Sequence, residues 1–595
     1  MPTHFRRRSL SSILLHCLLL ATISSSRSAH AQGEVPTAAV GPDVTVFLFT
    51  DIGNYGNTDG VVGYSIGTRS CNRGDAPLNW CDQASGCAAG ATTHDHPVIA
   101  QNLYRLRNGR LDQIGMSWLK HGFLSTNSTT SGCAGATGQA CSQPPAGSNQ
   151  LGVGCTDPYN WSLNGSRPLG MRSEVNGTTG AYPFPYTSVD STGTFEQRVK
   201  VLGTDVDPAL NAGALYFAEA QYIAPDDAAA GNALNNASYR RVTVGGAPNF
   251  PLTMTGTMFE KLSAINAWKA ADSTVELTNS DFCTAPVERF EVARKVSDLG
   301  GGIWHYEYAV RNHNSDHAAQ RFSVDLPDST SITNVGFHDI DSHSGEPYDT
   351  TDWTSSIDGV SGTVSWQTES WASNNDANAL RWATMYNFWF DADAAPASAQ
   401  HAIDLFKPLP EAVADAGSDV STCAGVPVQI GTAAVSGQTY SWAPGGATTA
   451  QTTVSPLATM VYTVTATNRC DSSQDTVTVT VEEAPAAPVL TSPADGSTGL
   501  LPPVNLAWDA VAGASDYTIE VATDAGFTAV VQSSTVAATA TPIFGLPSGT
   551  YFWRVTSNGT CAGTPSAAFT FAVASGIFND GFELGNTNEW SATAP

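Results

Sequence analysis

All nine histidines beyond residue 31 lie between His94 and His401, and six of them form close pairs, His94/His96, His313/His317 and His338/His343. Imidazole is the commonest metal-ligating side chain and titrates near neutral pH, so this confinement separates a stretch equipped for chemistry from a C-terminal stretch that lacks it. The spacing His94-x-His96 puts two imidazoles on one face of a strand, and His121 on a neighbouring antiparallel strand supplies a third. Three histidines with one open position make a candidate catalytic zinc or copper site. A denser run holds His338, Asp339, Asp341, His343, Glu346 and Asp349, a mixed set suited to Zn, Mn or Fe, whose carboxylates alone suit a structural Ca²⁺. The candidate metal ligands are therefore His96, His121, His338 and His343. Four imidazoles sharing one ion must converge within about 5 Å, because zinc–nitrogen bonds are ~2.0–2.1 Å. The competing reading of Phe337 to Asp349 is a polar loop whose side chains satisfy nearby backbone groups.

Other signals are weaker. The run His313-Asn314-Ser315-Asp316-His317 reads as a surface-exposed turn between strands. Gly63-Tyr64-Ser65-Ile66-Gly67 matches G-x-S-x-G, but a nucleophile elbow needs a strand, a sharp turn and a helix, and Thr68 to Asp75 is no helix. No H-E-x-x-H helix occurs anywhere in the chain.

The elements that must position these residues are mostly strands. Residues 1–31 read as an export signal: Arg6, Arg7 and Arg8, an apolar core from Ile13 to Ile23, and Ala29-His30-Ala31 before Gln32. Its removal takes four arginines and no acid, so the formal charge moves from −27 to −31. Such a chain repels phosphate backbones and anionic lipid, which argues against nucleic-acid and membrane partners, and no later stretch has the ~18–20 apolar residues of a membrane span. The 54 Gly and 33 Pro, with abundant Thr, Ser, Val and Tyr, predict short strands and frequent turns. The expected fold class is mainly β, a series of β-sandwiches whose N-terminal body has long disulfide-tied loops.

Trp304/Tyr306/Tyr308/Val310 alternate with polar neighbours, as do Leu380/Trp382/Thr384/Tyr386/Phe388/Phe390, so both runs read as sandwich strands with one aromatic face. A short helix is expected near Met258 to Ala271. Cys71, Cys81, Cys87, Cys133, Cys141 and Cys155 cluster in the first body, and their even number in an exported chain predicts three local bridges without specifying the pairing. The predicted domains are 42–280, rich in Cys and Gly, and 284–408, a β-sandwich; 411–482 and 484–574 follow, then a tail at 577–595.

Residues 484–574 alternate as Val504/Leu506/Trp508, Tyr517/Ile519/Val521 and Tyr551/Trp553/Val555, and resemble a fibronectin type III domain. Residues 411–482, with Tyr440-Ser441-Trp442, Tyr462-Thr463-Val464 and the run Thr476 to Val481, are similar to polycystic-kidney-disease and immunoglobulin-like modules. That resemblance implies a bridge between Cys423 and Cys470 and a spacer or weak binding role. The last segment, Ile577-Phe578-Asn579-Asp580-Gly581-Phe582-Glu583 with Trp590, resembles a tail that recurs in secreted proteins of Gram-negative bacteria. Stretches such as His96 to Asn102, Met116 to Phe123 and Gly336 to Pro347 resemble an uncharacterised family of secreted bacterial proteins, which implies no activity.

Two functions follow. The first is a secreted modular protein whose sandwiches bind an extracellular polysaccharide or a surface protein. The alternative is a secreted metal-dependent enzyme acting on an extracellular polymer.

Overall fold

A computed structural model describes residues 39–81, 95–165, 169–187, 197–284, 286–343, 345–396 and 399–575. The export signal at 1–31, the tail at 577–595, His94 and Cys87 lie outside the described residues. The chain packs into two compact units, residues 1–409 and 410–595.

The first unit is built on an antiparallel sheet in the order Val44–Thr58, Val61–Asn72, Val199–Leu202, Arg110–Met116, Val98–Arg107, Leu215–Ile223, Ala237–Val244 and Leu252–Phe259. Alternation explains its register. Val44, Val46, Val62, Tyr64, Ile66, Ile99 and Tyr222 turn into one apolar core. The expected helix is the short Asn266–Ala271, and Leu252–Phe259 before it is a strand. Disulfides Cys71–Cys133 and Cys141–Cys155 staple the loops, and Cys81 and Cys283 are also disulfide-bonded.

Five strands, Glu276–Phe282, Glu288–Gly300, Ile303–Asn312, Thr384–Ala392 and Ile332–His338, then form a second sheet. It faces a four-stranded sheet made of Thr354–Asp358, Thr363–Gln367, Ala319–Asp325 and Gln400–Leu405. Between them lies an aromatic core of Tyr306, Tyr308, Phe322, Trp366, Phe388 and Phe390. The outer face of the five-stranded sheet is not solvated, because Ala293, Ala309 and Met385 pack with Tyr104, Leu111, Phe217 and Trp268 of the first body. The run from Leu380 to Phe390 is not one strand. Ala383 sits in the left-handed region at φ 57°, the strand begins at Thr384, and Leu380 and Trp382 fall into different cores.

The second unit holds two sandwiches. The first has the sheet Val420–Cys423, Ser472–Glu482, Met460–Thr467, Thr439–Ala443, faced by Val428–Ile430 with Thr452–Val454, around Trp442, Tyr462 and Val464. The second faces Leu490–Ser492, Val504–Trp508 and Ala540–Ile543 against a sheet containing Phe569–Val573, Gly549–Asn558, Asp516–Ala522 and Val530–Val536, around Trp508, Tyr517 and Trp553.

The expected Cys423–Cys470 bridge does not form. Cys423 bonds Cys561 of the second sandwich, and Cys470 is disulfide-bonded elsewhere. The reason is the parallel pairing of Val420–Cys423 with Val479–Glu482, which sets Cys423 beside Glu482. Cys470 lies at the opposite end of that strand, roughly 35 Å away at ~3.3 Å per residue, whereas a disulfide tolerates no more than about 7 Å between Cα atoms. Among the described residues no helix is long and apolar enough to cross a membrane.

Candidate functional site

The four candidate metal ligands do not share one place. Pairing of Val98 with His121 brings His121 beside His96, whose Nε2 lies 2.9 Å from His121 Nδ1. Tyr186 stacks on the His121 ring at 3.6 Å, and Tyr182 donates to the His96 carbonyl. Burial, and then the neighbouring His96, hold the His121 imidazole well below the ordinary histidine value, so it is neutral. Its Nε2 has no partner among the described residues and faces Gly170, where a Cβ would come within 2.3 Å.

His343 is turned away to the Arg198 carbonyl, 2.9 Å from its Nε2, with its ring beside Trp118. His338 ends its strand with Nε2 3.9 Å from Asp112 Oδ2. Among the described residues no three His, Cys, Asp or Glu side chains stand close enough to hold a metal ion. The carboxylates of the Phe337 to Asp349 run serve the backbone and amides instead. Glu346 accepts from the Arg172 and Ser173 amides, Asp339 from Asn378 Nδ2, and Asp349 from the Thr351 amide. Burial raises Asp339 to about 6, with Asn378 opposing.

The turn at His313 to His317 is buried over His313 to Ser315 and half-buried at Asp316 and His317, contrary to its expected exposure. His313 is 2% exposed, and Asn314 and Ser315 are fully enclosed. Glu288 explains this, since its carboxylate accepts from the Ser315 hydroxyl at 2.6 Å and meets His317 Nδ1 at 2.8 Å. Ser65 lies in mid-strand and fully buried, with its hydroxyl toward the Trp161 carbonyl, so it is no nucleophile elbow.

The structure instead presents a polar cleft of about 350 Å³ lined by Arg105, Arg107, Asn108, Arg110, Asp112, His305 and Glu307. Its floor is a hairpin. Asn108 and Gly109 take φ 52° and 84°, as a two-residue type I′ turn demands, and join Val98–Arg107 to Arg110–Met116. The register pairs Arg107 with Arg110, Leu106 with Leu111 and Arg105 with Asp112. Because side chains alternate, the four charged residues share the cleft face and the two leucines turn to the seam between the two bodies.

The charges are held by a chain of ion pairs. Arg105 reaches Asp112 at 2.6 Å and Asp205 at 2.9 Å, and these acids, against the cost of burial, hold its guanidinium above its ordinary value. Arg110 grips Glu307 through Nε at 2.7 Å and Nη2 at 2.8 Å and lies 3.7 Å over the Trp389 ring. His305 sits between Glu307 and Asp391, its Nδ1 2.6 Å from Asp391 Oδ1. Glu307 above all, then Asp391, raise its imidazole above the ordinary value while burial opposes them. His338 stands at the margin.

None of the residues lining this cleft was picked out as a site by type and spacing; of the four candidate ligands only His338 stands beside it, at Asp112. The signal was present, as three arginines within Arg105-Leu106-Arg107-Asn108-Gly109-Arg110 in a chain with twice as many acids as bases, around an Asn-Gly hairpin turn.

No family model matches the chain, and no curated protein does. Among solved structures, the FN1–FN3 domains of chicken CNTN1 are 10% identical, covering 47% of this chain and 97% of that one with a TM-score of 0.18. Titin domains A168–A170 are 14% identical over 47% and 99%, with a TM-score of 0.17. The immunoglobulin domains 1–5 of Sidekick-1 are 9% identical over 65% and 90%, with a TM-score of 0.19.

Proposed function

We propose that the protein is an exported, modular extracellular protein that binds a polysaccharide through the cleft on the Val98–Met116 hairpin, with the two sandwiches of residues 410–595 as spacers. The observation that carries this reading is the cleft itself, about 350 Å³ and lined by side chains that offer hydrogen-bond donors and acceptors. That volume is at the low end of the ~300–1,000 Å³ of ligand pockets, and polar edges of this kind match sugar hydroxyls. The disulfides Cys71–Cys133, Cys141–Cys155 and Cys423–Cys561 belong to an oxidising compartment.

Affinity electrophoresis of the full chain from Gln32 through gels containing extracellular polysaccharides tests this. Retardation by at least one polymer is expected, and it should be lost in His338→Trp, which places an indole at the cleft margin. Equal mobility in all gels, or retardation unchanged by His338→Trp, overturns the reading.

The second reading, a metal-dependent enzyme acting on the same kind of polymer, is favoured by the two imidazole nitrogens of His96 and His121 at 2.9 Å. Elemental analysis decides between them. Stoichiometric zinc or copper that disappears in His121→Ala, together with cleavage of the polymer, replaces binding by catalysis.

A further inference from the structure

Resting on the binding reading above, we infer that the cleft is specific for a ligand bearing a carboxylate, an acidic sugar unit, and that Arg107 is the residue that anchors it. The juxtaposition behind this is a like-charge pair. The hairpin register sets Arg107 directly opposite Arg110, and like charges facing one another across an antiparallel pair are destabilising. A hairpin tip built for stability alone has no use for that arrangement.

The two arginines are then treated differently. Arg110 is neutralised by its two bonds to Glu307. Among the described residues Arg107 donates only to Asn211 Oδ1, at 2.8 Å, an oxygen that also accepts from Arg105 Nη1 at 3.0 Å. An amide oxygen takes a hydrogen bond without taking up charge. The Asn211 amide is held with its oxygen toward Arg107 by its own Nδ2, which donates to the Thr204 and Asp207 carbonyls at 2.7 and 3.0 Å. Arg107 therefore enters the cleft as a cation without a carboxylate partner among the described residues, in a chain that carries 54 acids against 27 Lys and Arg.

The ligand chemistry follows from the guanidinium and its surroundings. Its planar fork matches the two oxygens of a carboxylate, and Asn108 and His305 line the same cleft where the hydroxyls of a sugar ring would lie. Net charge limits the ligand further. A chain at −27 repels a dense polyanion, but fields are screened beyond about 8 Å at physiological ionic strength, so a single carboxylate within bonding reach of Arg107 is attracted locally. A carboxylated sugar unit fits these conditions better than a heavily sulfated chain.

Titration calorimetry of the full chain from Gln32 tests the inference with galacturonate, glucuronate and mannuronate oligomers, their methyl esters, and a sulfated neutral oligomer. The methyl ester keeps the ring and hydroxyls, removes the charge and adds one methyl group. At least one acidic oligomer is expected to bind roughly tenfold or more tightly than its ester, the size of a charged hydrogen bond, and Arg107→Gln should erase that preference. Because Arg107 forms no ion pair among the described residues and gives up one hydrogen bond to an amide, the variant should melt close to the parent, which separates lost recognition from lost folding.

Equal binding of acid and ester overturns the inference and leaves polysaccharide binding standing. An acid preference that persists in Arg107→Gln overturns the assignment to Arg107, and preference for the sulfated oligomer overturns the carboxylate. Binding to no oligomer or polysaccharide removes both readings.

Discussion

Arg311 and Arg107 belong to the same unit, and their surroundings differ completely. Arg311 is fully buried where the two bodies of that unit meet. It donates to Glu219 at 3.1 Å, Gln221 at 2.7 Å and Glu291 at 2.9 Å, and its Nη1 lies 3.0 Å from His313 Nδ1. Glu219 is itself tied to Asn102, Tyr104 and the Ala264 amide. Burial opposes the ionised form of Glu291, but His313 and Arg311 prevail and hold it at about 2. A charge removed from water must be matched by opposite charge, because an uncompensated buried ion costs several kcal/mol, and Glu219 and Glu291 supply that match. Arg107, on the cleft, pays no such penalty and can keep its charge available. The comparison teaches that in this protein the buried arginine that holds the fold is neutralised by carboxylates through both terminal nitrogens, whereas the arginine on the cleft meets only an amide.

The contrast can be broken at three places. The largest effect is expected for Arg311→Leu, which strands Glu219 and Glu291 in the interior and should cost about 3–5 kcal/mol in denaturant unfolding of the full chain. A loss below about 1 kcal/mol would show that the seam relaxes or hydrates and that the network is not a structural hub.

Next comes Arg110→Ala, intermediate because Arg110 is half in each role. It removes both bonds to the nearly buried Glu307 and the cover over Trp389, and a loss of about 1–3 kcal/mol is expected in the same measurement. No change would place Arg110 with Arg107 as a recruiting charge.

The smallest effect is the pH dependence of His305. Its folded-state value is raised, so its contribution is complete below the ordinary histidine value near 6.5 and fades as pH rises through the higher folded value. The stability difference between the parent and His305→Gln should therefore shrink as pH rises above about 6.5. A difference that grows with pH would mean the Glu307–Asp391 pair does not bind the protonated ring.

Much of the architecture was legible in particular residues. Trp508, Tyr517 and Trp553 alternate with polar neighbours and become the core of the last sandwich, because a strand with one buried face must be written with period two. The aromatic run from Leu380 carried the same signal but misplaced the strand start, since nothing in the residue types shows that Ala383 adopts φ 57°. The candidate site was read less well. His96 and His121 meet as their spacing suggested, while His338 and His343 are drawn off to Asp112 and the Arg198 carbonyl, partners more than a hundred residues away. His313 to His317 looked like surface, and only Glu288 and Arg311, supplied by other positions in space, make its burial affordable in physical terms.

By itself the sequence determined the β-rich class, the alternation that selects core faces, the confinement of imidazole to the first unit, and the Asn-Gly turn that opposes Arg107 to Arg110. These are local matters, dictated by side-chain period and by backbone angles that few residues tolerate. Tertiary structure alone decided which cysteine Cys423 joins, which arginine meets carboxylates and which is left with an amide, and where the cleft lies. Those outcomes depend on strands far apart in the chain arriving side by side, and hydrophobic period says which face is buried but not which distant charge will face it.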